Sequence, residues 1–508
     1  MLLGKEKKLQ KLLIQNTHNI IIFILVLIFA YAKDNYIFTQ LGDHAIFAQS
    51  INNIINSGLA KSNIFSACQY LIDNSIAHLS MSELNNLNLP GQLMNDRFLF
   101  SFHADFILYF IAVFSLIFGS DVSLIYLQLL NIVLLFIFGI KILKRNNISK
   151  YIILIFVFFT LINPLIVGNI LGQFYPDRLY IAPMFLMLFL LNKTKINYSF
   201  LLITFLITLL INERAAIYVA LSFFYFFLIK NYEILKNLFF HHKSAKVKKF
   251  NDVRLIFFGL ASILYFILIK FYLISNIYYG SFIPGSFSQL FTLLGDNQFQ
   301  YNIFYFILNI TPFLVISFFD KKLFILSLIA IIPNLIGNIG GAEKLGWFTH
   351  YHSYYIPFLF FSSVYGLISL MNHKDNKKFL LIAFLAFIVS IYFLSANKLY
   401  SIKYSFNLIK NIIVTKINEP TRKDISIRNI SEILKPGNKV STTELGMNLL
   451  HNQGVDFYYF PIQHKGVDFI FIPCLDPNDK YYNDINLSDF LFVKKIDSIS
   501  MCFYKNNV

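Results

Sequence analysis

Long apolar runs recur along most of this chain and constrain its fold more than any other feature. Runs of about 15 to 22 mostly apolar residues begin near Ile20 and repeat to about Ser395. A helix needs about this length to cross the hydrocarbon core of a bilayer. Only 14% of the residues are charged, whereas an average soluble domain has about 25%. The sequence therefore predicts an all-α polytopic membrane protein.

The net charge of +16 follows the predicted membrane topology. Lys and Arg concentrate between alternate apolar runs, for example at Lys141–Lys150, Lys193–Lys195 and Lys243–Lys249. Cytoplasmic loops carry such an excess of basic residues, so these segments and the basic N-terminus are assigned to the cytoplasm. The basic residues thus indicate orientation in a plasma (inner) membrane, and no nucleic-acid partner is expected.

About eleven helices are predicted to cross the membrane, with the N-terminus cytoplasmic and the C-terminus outside. The apolar block Phe106–Phe118 is assigned as an interfacial or re-entrant helix, because it is short and a crossing there would invert every later loop. Residues 1–397 then form a transmembrane domain that includes an outer loop, residues 33–105, with interfacial helices. The predicted spans are Ile20–Ala32, Val122–Ile142, Tyr151–Ile170, Leu179–Leu191, Phe200–Ile211, Ala215–Ile229, Leu255–Ile274, Ile303–Phe319, Leu323–Ile339, Tyr355–Met371 and Phe379–Ser395.

From about Lys398 the composition becomes that of a soluble domain. Residues 398–508 are predicted to form a small extracytoplasmic α/β domain, without the glycine fingerprint of a nucleotide-binding fold. A helix is predicted over Glu444–Asn452, and strands are predicted over Asn438–Thr443, Val455–Phe460, Val467–Pro473, Phe490–Lys494 and Ser500–Tyr504. The three cysteines allow one disulfide, for which Cys474 and Cys502 are a candidate pair.

Ionisable side chains gather at the predicted outer ends of the helices. They are Asp43, His44, His103, Asp105, Asp177, Arg178, Glu213, Arg214, His350 and His352, with Lys270 inside a helix as a further candidate. Such groups are costly near hydrocarbon, so their clustering on one face predicts a polar cavity. Each has a simpler explanation too, as a solvated helix-end anchor, a surface ion pair such as Asp177-Arg178, or part of an aromatic belt such as His352.

Several short motifs give the chain a resemblance to the GT-C superfamily of membrane glycosyltransferases. More closely, it resembles a GT-C-like bacterial family of membrane proteins of unknown function. The matching stretches are Gly42–Gln49, Phe102–Leu108, Phe174–Asp177, Glu213, His350-Tyr351 ahead of Pro357-Phe358, Ser441–Gly446, Phe460-Pro461 and Val467–Phe469. The chain departs from that family at Tyr175, where a His is frequent, and at Arg214, where a second acid is frequent.

The resemblance implies a membrane enzyme that transfers a sugar from a polyprenyl-phosphate donor to a glycan or lipid acceptor of the cell envelope. GT-C enzymes use an acidic residue in the first outer loop as general base, and Asp43 matches that position. Arg178, Arg214 and Lys270 would then face the donor phosphate. The candidate histidines would hydrogen-bond sugar or phosphate.

No cofactor is required by the pattern, and no metal-ligand spacing compels a metal. Binding of a divalent metal by Asp43, His44, Asp105 and the His350/His352 pair remains an alternative. Two other functions also stay open. A transporter or flippase for a lipid-linked substrate would use the same cavity without cleaving a bond, and a non-catalytic scaffold would bind partners through the C-terminal domain.

Overall fold

The structure is a computed structural model that describes part of the chain. The described residues are 42–64, 97–98, 104–172, 174–240, 250–274, 297–336, 350–373, 380–383, 385–389, 433–451, 454–460, 466–474, 487, 489–496 and 500–507. The predicted first span, Ile20–Ala32, lies outside them.

Helices make up almost all of the described part of the N-terminal region. They are α1 (Gly42–Ser57), α2 (Ile107–Phe118), α3 (Ser120–Arg145), α4 (Lys150–Ile162), α5 (Pro164–Leu171), α6 (Ile181–Leu191), α7 (Tyr198–Ile211), α8 (Ala215–Lys230), α9 (Tyr232–Phe240), α10 (Arg254–Tyr272), α11 (Asn297–Ser317), α12 (Lys321–Ile336) and α13 (Ile356–Met371). Two 3-10 helices, Pro176–Tyr180 and His350–Tyr354, precede α6 and α13, and a small antiparallel pair joins β1 (Lys61–Ser62) to β2 (Arg97–Phe98).

Three of these helical segments are long and apolar enough to cross a membrane, judged by length and composition. They are Ser120–Arg145, Arg254–Tyr272 and His352–Met371, and each overlaps a predicted span. Helix α2 has 12 residues and is therefore about 18 Å long, which is too short to cross a hydrocarbon core of about 30 Å. Its exposed face is apolar, with Leu116 and Ile117 largely exposed.

The predicted span Tyr151–Ile170 is not one helix in the structure. It is divided at Asn163 into α4 and α5, because Pro164 cannot donate a main-chain hydrogen bond inside a helix. Pro164 instead occupies the first turn of α5, where a missing N–H costs nothing, and the Asn163 side chain accepts from the N–H of Leu165 at 3.0 Å. The Asn163 amide also donates to the carbonyl of Asn309 in α11 at 3.0 Å. The break is thus capped and tied to a neighbouring helix.

The segment from Asp43 to Gln49 belongs to the predicted outer loop, residues 33–105, in which interfacial helices were expected. It lies in α1, a helix of 16 residues. Ala45, Ala48 and Ile51 are fully buried on one face of this helix, which packs against α2 and α3. The polar residues Asn52 and Asn53 interrupt the apolar pattern, so the helical period is weak in the sequence.

Helices α11, α12 and α13 approach closely through small polar residues. The Ser362 hydroxyl lies 2.9 Å from Ser317 Oγ and 2.5 Å from Ser327 Oγ, and so links all three helices. Gly366 lies against the main chain of α11. Small residues permit such close contact between helices in membranes, where packing rather than water exclusion drives association.

The C-terminal region contains a five-stranded mixed sheet, as the sequence predicted. Its strands are β3 (Lys439–Thr442), β4 (Asp456–Tyr459), β5 (Phe469–Pro473), β6 (Phe490–Ile496) and β7 (Met501–Asn506), in the order β4-β3-β5-β7-β6. Strand β3 is parallel to β4 and β5, and α14 (Glu444–Leu450) connects β3 to β4. Strands β6 and β7 add an antiparallel hairpin, and a disulfide joins Cys474 to Cys502 in β7.

We expect Gly366→Ala to destabilise the bundle more than Gly139→Ala. A Cβ at position 366 would lie 2.2 Å from the carbonyl oxygen of Ile316, which is main chain and cannot rotate away. A Cβ at position 139 would meet the ring of Phe360 at 2.7 Å, and a side chain can adjust. Overpacking costs about 1–3 kcal/mol, so thermal unfolding in detergent should show the larger loss at position 366. Equal losses would show that the α11–α13 contact can relax.

Candidate functional site

Four separate stretches of the chain meet in a buried polar network at one end of the bundle. The Asn212 amide donates to Asp105 Oδ1 at 2.9 Å. The Tyr354 hydroxyl donates to Asp177 Oδ1 and lies 3.1 Å from Asn212 Oδ1. Glu213 Oε2 accepts from the main-chain N–H of Ala104 at 3.0 Å. We call Asp105, Asp177 and Glu213 the carboxylate cluster.

All three acids of the carboxylate cluster are buried. Asp105 is 1% exposed, Asp177 4% and Glu213 0%, although each was open to interpretation as a solvated helix-end anchor. Burial raises the pKa of Asp105 well above its ordinary value, and the neighbouring charges of Asp177 and Glu213 raise it further. The hydrogen bond from Asn212 and the charge of Arg214 lower it only in part. Asp105 therefore holds a proton more readily than an ordinary carboxyl group.

Three tyrosine rings in mutual contact lie beside the cluster. The rings of Tyr218 and Tyr354 are parallel within 8° at a centroid distance of 5.2 Å, and Tyr180 packs against Tyr354 at 5.2 Å. Tyr180 and Tyr354 are fully buried. These rings fix the position of the Tyr354 hydroxyl, which contacts Asp177.

Arg178 is buried, so the interpretation of Asp177-Arg178 as a surface ion pair is wrong. Its Nη1 donates to the carbonyl oxygen of Gly168 in the last turn of α5 at 2.5 Å. A Cβ on Gly172 would also lie 2.6 Å from the same main-chain carbonyl oxygen of Gly168, which cannot rotate away, so the chain needs glycine there. Basic side chains commonly bond the last carbonyls of a helix. Arg178 thereby fixes the end of α5 beside the cluster.

Arg214 also lies near the cluster, and helix α10, which carries Lys270, packs beside it. Arg214 Nε is 4.0 Å from Glu213 Oε1, and the residue is 8% exposed. Lys270 is half-buried in the last turn of α10, next to Ile269, which packs in a small apolar cluster with Ala104. Helix α10 thus packs through Ile269 against the stretch that carries Asp105.

His352 is buried between two aromatic side chains and is not part of an exposed belt. Its Nδ1 lies 2.5 Å from the Tyr355 hydroxyl, and its ring stacks on Phe306 at 6.5 Å. The adjacent Ser353 donates to Asn169 Oδ1 in α5 at 2.8 Å. The turn that carries Tyr354 is therefore held from both sides.

His44 belongs to a second polar contact, which joins the C-terminal domain to the helical bundle. His44 Nε2 lies 2.8 Å from Asp121 Oδ1, and His451 Nε2 lies 3.0 Å from the same oxygen. Both histidine side chains are buried, and Asp121 stands in the first turn of α3. Asn63 adds a hydrogen bond to the carbonyl of Val455 at 3.3 Å. We call His44, Asp121 and His451 the docking triad.

Aromatic packing connects the docking triad with the carboxylate cluster. Phe47 of α1 packs edge to face against Phe174 and Tyr175, with centroid distances of 5.7 and 5.8 Å. Phe174 and Tyr175 lead directly into the turn that contains Asp177. Helix α1, which begins beside Asp43, therefore packs on the segment that carries one acid of the cluster.

Three predicted site residues are only partly described or not described. The backbone of Asp43 lies in the first turn of α1 and that of His350 opens its 3-10 helix, but their side chains lie outside the described part. His103 also lies outside it. Sequence reasoning missed Asp121, His451 and Tyr354. Asp121 follows Gly119-Ser120 at the start of an apolar run, a pattern that also suits an ordinary first-turn acid.

Among the residues that the structure describes, no group of three or more His, Cys, Asp or Glu side chains is arranged to hold a metal ion. No protein-family model matches the sequence, and a search of curated proteins finds no significant match. The functional argument therefore depends on the geometry and on the motifs of the sequence.

We expect Asp105→Asn to stabilise the protein at pH 8 and to have little effect near pH 4. Folding raises the pKa of Asp105. The contribution of the protonated Asp105 to the free energy of unfolding is therefore fully present below the ordinary carboxyl pKa of about 4, and it is lost as pH rises through the pKa of the folded state. The amide cannot ionise and avoids that loss. Thermal unfolding in detergent across this pH range measures the difference.

Asp252→Asn provides a control of opposite sign. Burial would raise the pKa of Asp252, but hydrogen bonds from Lys230 and Tyr198 outweigh this effect and lower it. The contribution of ionised Asp252 to the free energy of unfolding is present above the ordinary carboxyl pKa, and it is lost as pH falls through the pKa of the folded state. The Asp252→Asn variant should therefore be destabilised at pH 8. A pH-independent effect of Asp105→Asn would contradict an acid with a raised pKa.

We expect Asp121→Ala to loosen the C-terminal domain from the bundle. The substitution removes the common partner of two buried histidines, and hydrogen bonds to charged groups contribute about 1.5–3 kcal/mol. Hydrogen exchange should accelerate in α14 and remain unchanged in α13. Glu233→Ala, which removes an exposed acid of α9, is the matched control. Unchanged exchange in α14 would show that other contacts hold the domain.

Proposed function

We propose that this chain is a GT-C-type inverting glycosyltransferase of a plasma (inner) membrane. In this proposal about eleven helices cross the bilayer, the N-terminus is cytoplasmic, and the carboxylate cluster and the C-terminal domain lie at the outer face. The donor is a polyprenyl-phosphate sugar, and the acceptor is a glycan or lipid of the cell envelope.

The observation that carries the proposal is the carboxylate cluster itself. Three buried acids from three separate stretches are held at helix ends by Asn212, Tyr354 and the N–H of Ala104. Groups with strongly perturbed protonation concentrate at functional sites, because catalysis needs acids and bases matched to their task. Their position in connecting segments, rather than in the middle of helices, favours chemistry at the membrane surface over passage through the bilayer.

Asp43 is the general base in this proposal. Its carboxylate accepts the proton of the acceptor hydroxyl while the hydroxyl oxygen bonds to the anomeric carbon of the donor. The bond from that carbon to the phosphate oxygen breaks, polyprenyl phosphate leaves with the electron pair, and the configuration inverts. Support comes from α1, which begins beside Asp43 and packs through Phe47 on Phe174 and Tyr175.

The remaining candidates divide between substrate contact and positioning. Arg214 and Lys270 are the cations proposed to stabilise the phosphate leaving group, and His103 and His350 are proposed to bind sugar or phosphate. Arg178, His44 and His352 are positioning residues, because each contacts another part of the fold: the end of α5, Asp121 and Tyr355.

A transporter or flippase for a lipid-linked substrate is the second candidate. The burial of Asp105 and Glu213, at 1% and 0% exposed, favours it, since buried acids with variable protonation serve as proton-coupled sites in membranes. The two functions differ in one product. Only the transferase releases polyprenyl phosphate.

We expect the wild-type protein in lipid nanodiscs to release polyprenyl phosphate from at least one donor of a panel of polyprenyl-phosphate sugars. Asp43→Asn should lower this turnover by about 100-fold or more, since general base catalysis contributes about 10²–10⁴. Substrate binding should persist because the amide keeps the shape of the side chain. Turnover is measured by mass spectrometry of the lipid product, with and without divalent metal.

Asp456→Asn, in β4 of the C-terminal sheet, is the matched control and should retain full turnover. If wild type binds donors without releasing lipid phosphate, and Asp43→Asn binds equally well, the transferase proposal fails. Movement of intact donor across vesicles would then identify the transporter. If intact donor does not cross the vesicle membrane either, the non-catalytic scaffold is the remaining candidate function.

A further inference from the structure

A large cavity lies at the basic end of the bundle, away from the carboxylate cluster. Helix α3 spans the distance between them: its Asn131 bonds the carbonyl of Arg178, next to Asp177, and its Arg145, about 21 Å further along the helix, lines the cavity. The cavity has a volume of about 890 Å³, within the range of ligand sites. It is lined by residues of α3, α6, α7 and α13 and of the connection between α6 and α7.

The polar side of this cavity is cationic. Lys141 and Arg145 come from the last turns of α3, and Lys193 and Lys195 come from the connection between α6 and α7. Among the residues that the structure describes, no acid lines this cavity. Lys193 Nζ lies 4.5 Å above the Phe189 ring. Four cations around one opening favour a ligand with a strongly anionic group.

The nearest acids are engaged in a neighbouring cavity. Asp252 and Asp320 line that second cavity rather than the cationic one. Asp252 lies 2.8 Å from Lys230 Nζ. Asp320 Oδ1 accepts from the N–H of Leu323 at 3.2 Å and so caps α12. Lys193 lines both cavities, whereas Lys141, Arg145 and Lys195 line only the cationic one. Among the described residues, the acids nearest to these three cations thus lie in the other cavity.

The rest of the lining is mostly apolar, and one of its residues belongs to the outer surface of the bundle. Phe138, Phe185 and Phe189 line the interior. Phe200 lies at the edge, is 43% exposed, and begins the exposed apolar face of α7. That face continues through Leu202, Ile203, Leu206, Ile207 and Leu210. A ligand that fills both parts must have an anionic head and a hydrocarbon chain.

We infer that this cavity binds the headgroup of an anionic phospholipid, with the acyl chains lying along the exposed face of α7. A basic pocket between membrane helices suits such headgroups, and each nearby cation adds to the attraction. A soluble phosphate would satisfy the cations but would leave the aromatic wall and the α7 face without a partner. The inference does not depend on the proposed glycosyltransferase activity.

Native mass spectrometry of the full-length protein tests this inference. The protein is released from nanodiscs of equal phosphatidylglycerol and phosphatidylcholine, and retained lipids are counted. Wild type should retain phosphatidylglycerol preferentially. The combined variant Lys141→Gln, Arg145→Gln and Lys195→Gln should reduce this retention about tenfold or more. The three side chains are exposed, and thermal unfolding confirms that the variant is folded.

The matched control removes three exposed lysines of the same end of the bundle from outside the cavity, as Lys150→Gln, Lys236→Gln and Lys321→Gln. It has the same net charge as the test variant and should retain lipid as wild type does. Equal loss in both variants, or loss in neither, would overturn the inference. Displacement of phosphatidylglycerol by an equal concentration of glycerol 3-phosphate would also overturn it, in favour of a soluble phosphate ligand.

Discussion

The helical hydrogen bonds are interrupted between α4 and α6, and the main-chain N–H and C=O groups there need other hydrogen-bond partners inside an apolar bundle. The rest of the site depends on how these partners are supplied. An unpaired main-chain group in such surroundings costs several kcal/mol. Two amides of α3 meet this need. Gln128 donates to the carbonyls of Asn169 and Gly172 at 2.6 and 3.2 Å, and Asn131 bonds the carbonyl of Arg178 and the N–H of Ala182. The turn that carries Asp177 is thereby fixed to a long helix.

A fixed backbone explains how three acids can be buried so close together. Moving a charge out of water costs several kcal/mol unless hydrogen bonds and opposite charges compensate it. Asn212 connects two of the stretches, because its side-chain nitrogen donates to Asp105 while its side-chain oxygen lies 3.1 Å from the Tyr354 hydroxyl. The raised pKa of Asp105 shows that this compensation is incomplete. The protonation state of Asp105 is therefore sensitive to any charged ligand that approaches the cluster.

The sequence predicted the helices and strands whose formation depends on a local pattern of residues. The apolar period marks α3, α10 and α13, and alternation marks the strands of the C-terminal sheet. The Cys474–Cys502 pair was one of several combinations that the count allowed. The break at Asn163 was missed although Pro164 signals it. The docking triad was beyond sequence reasoning, because Asp121 and His451 are 330 positions apart and each alone resembles an ordinary helix-end residue.

The docking triad makes the C-terminal domain part of the site rather than an appendage. Asp121 joins His451 of that domain to His44, and His44 adjoins the proposed base, Asp43. The C-terminal domain therefore contacts Asp121, the same residue that holds the first turn of α1. Phe47, one turn further along α1, packs on the segment before Asp177. A continuous path of contacts thus leads from the C-terminal domain to the segment that carries one of the three acids.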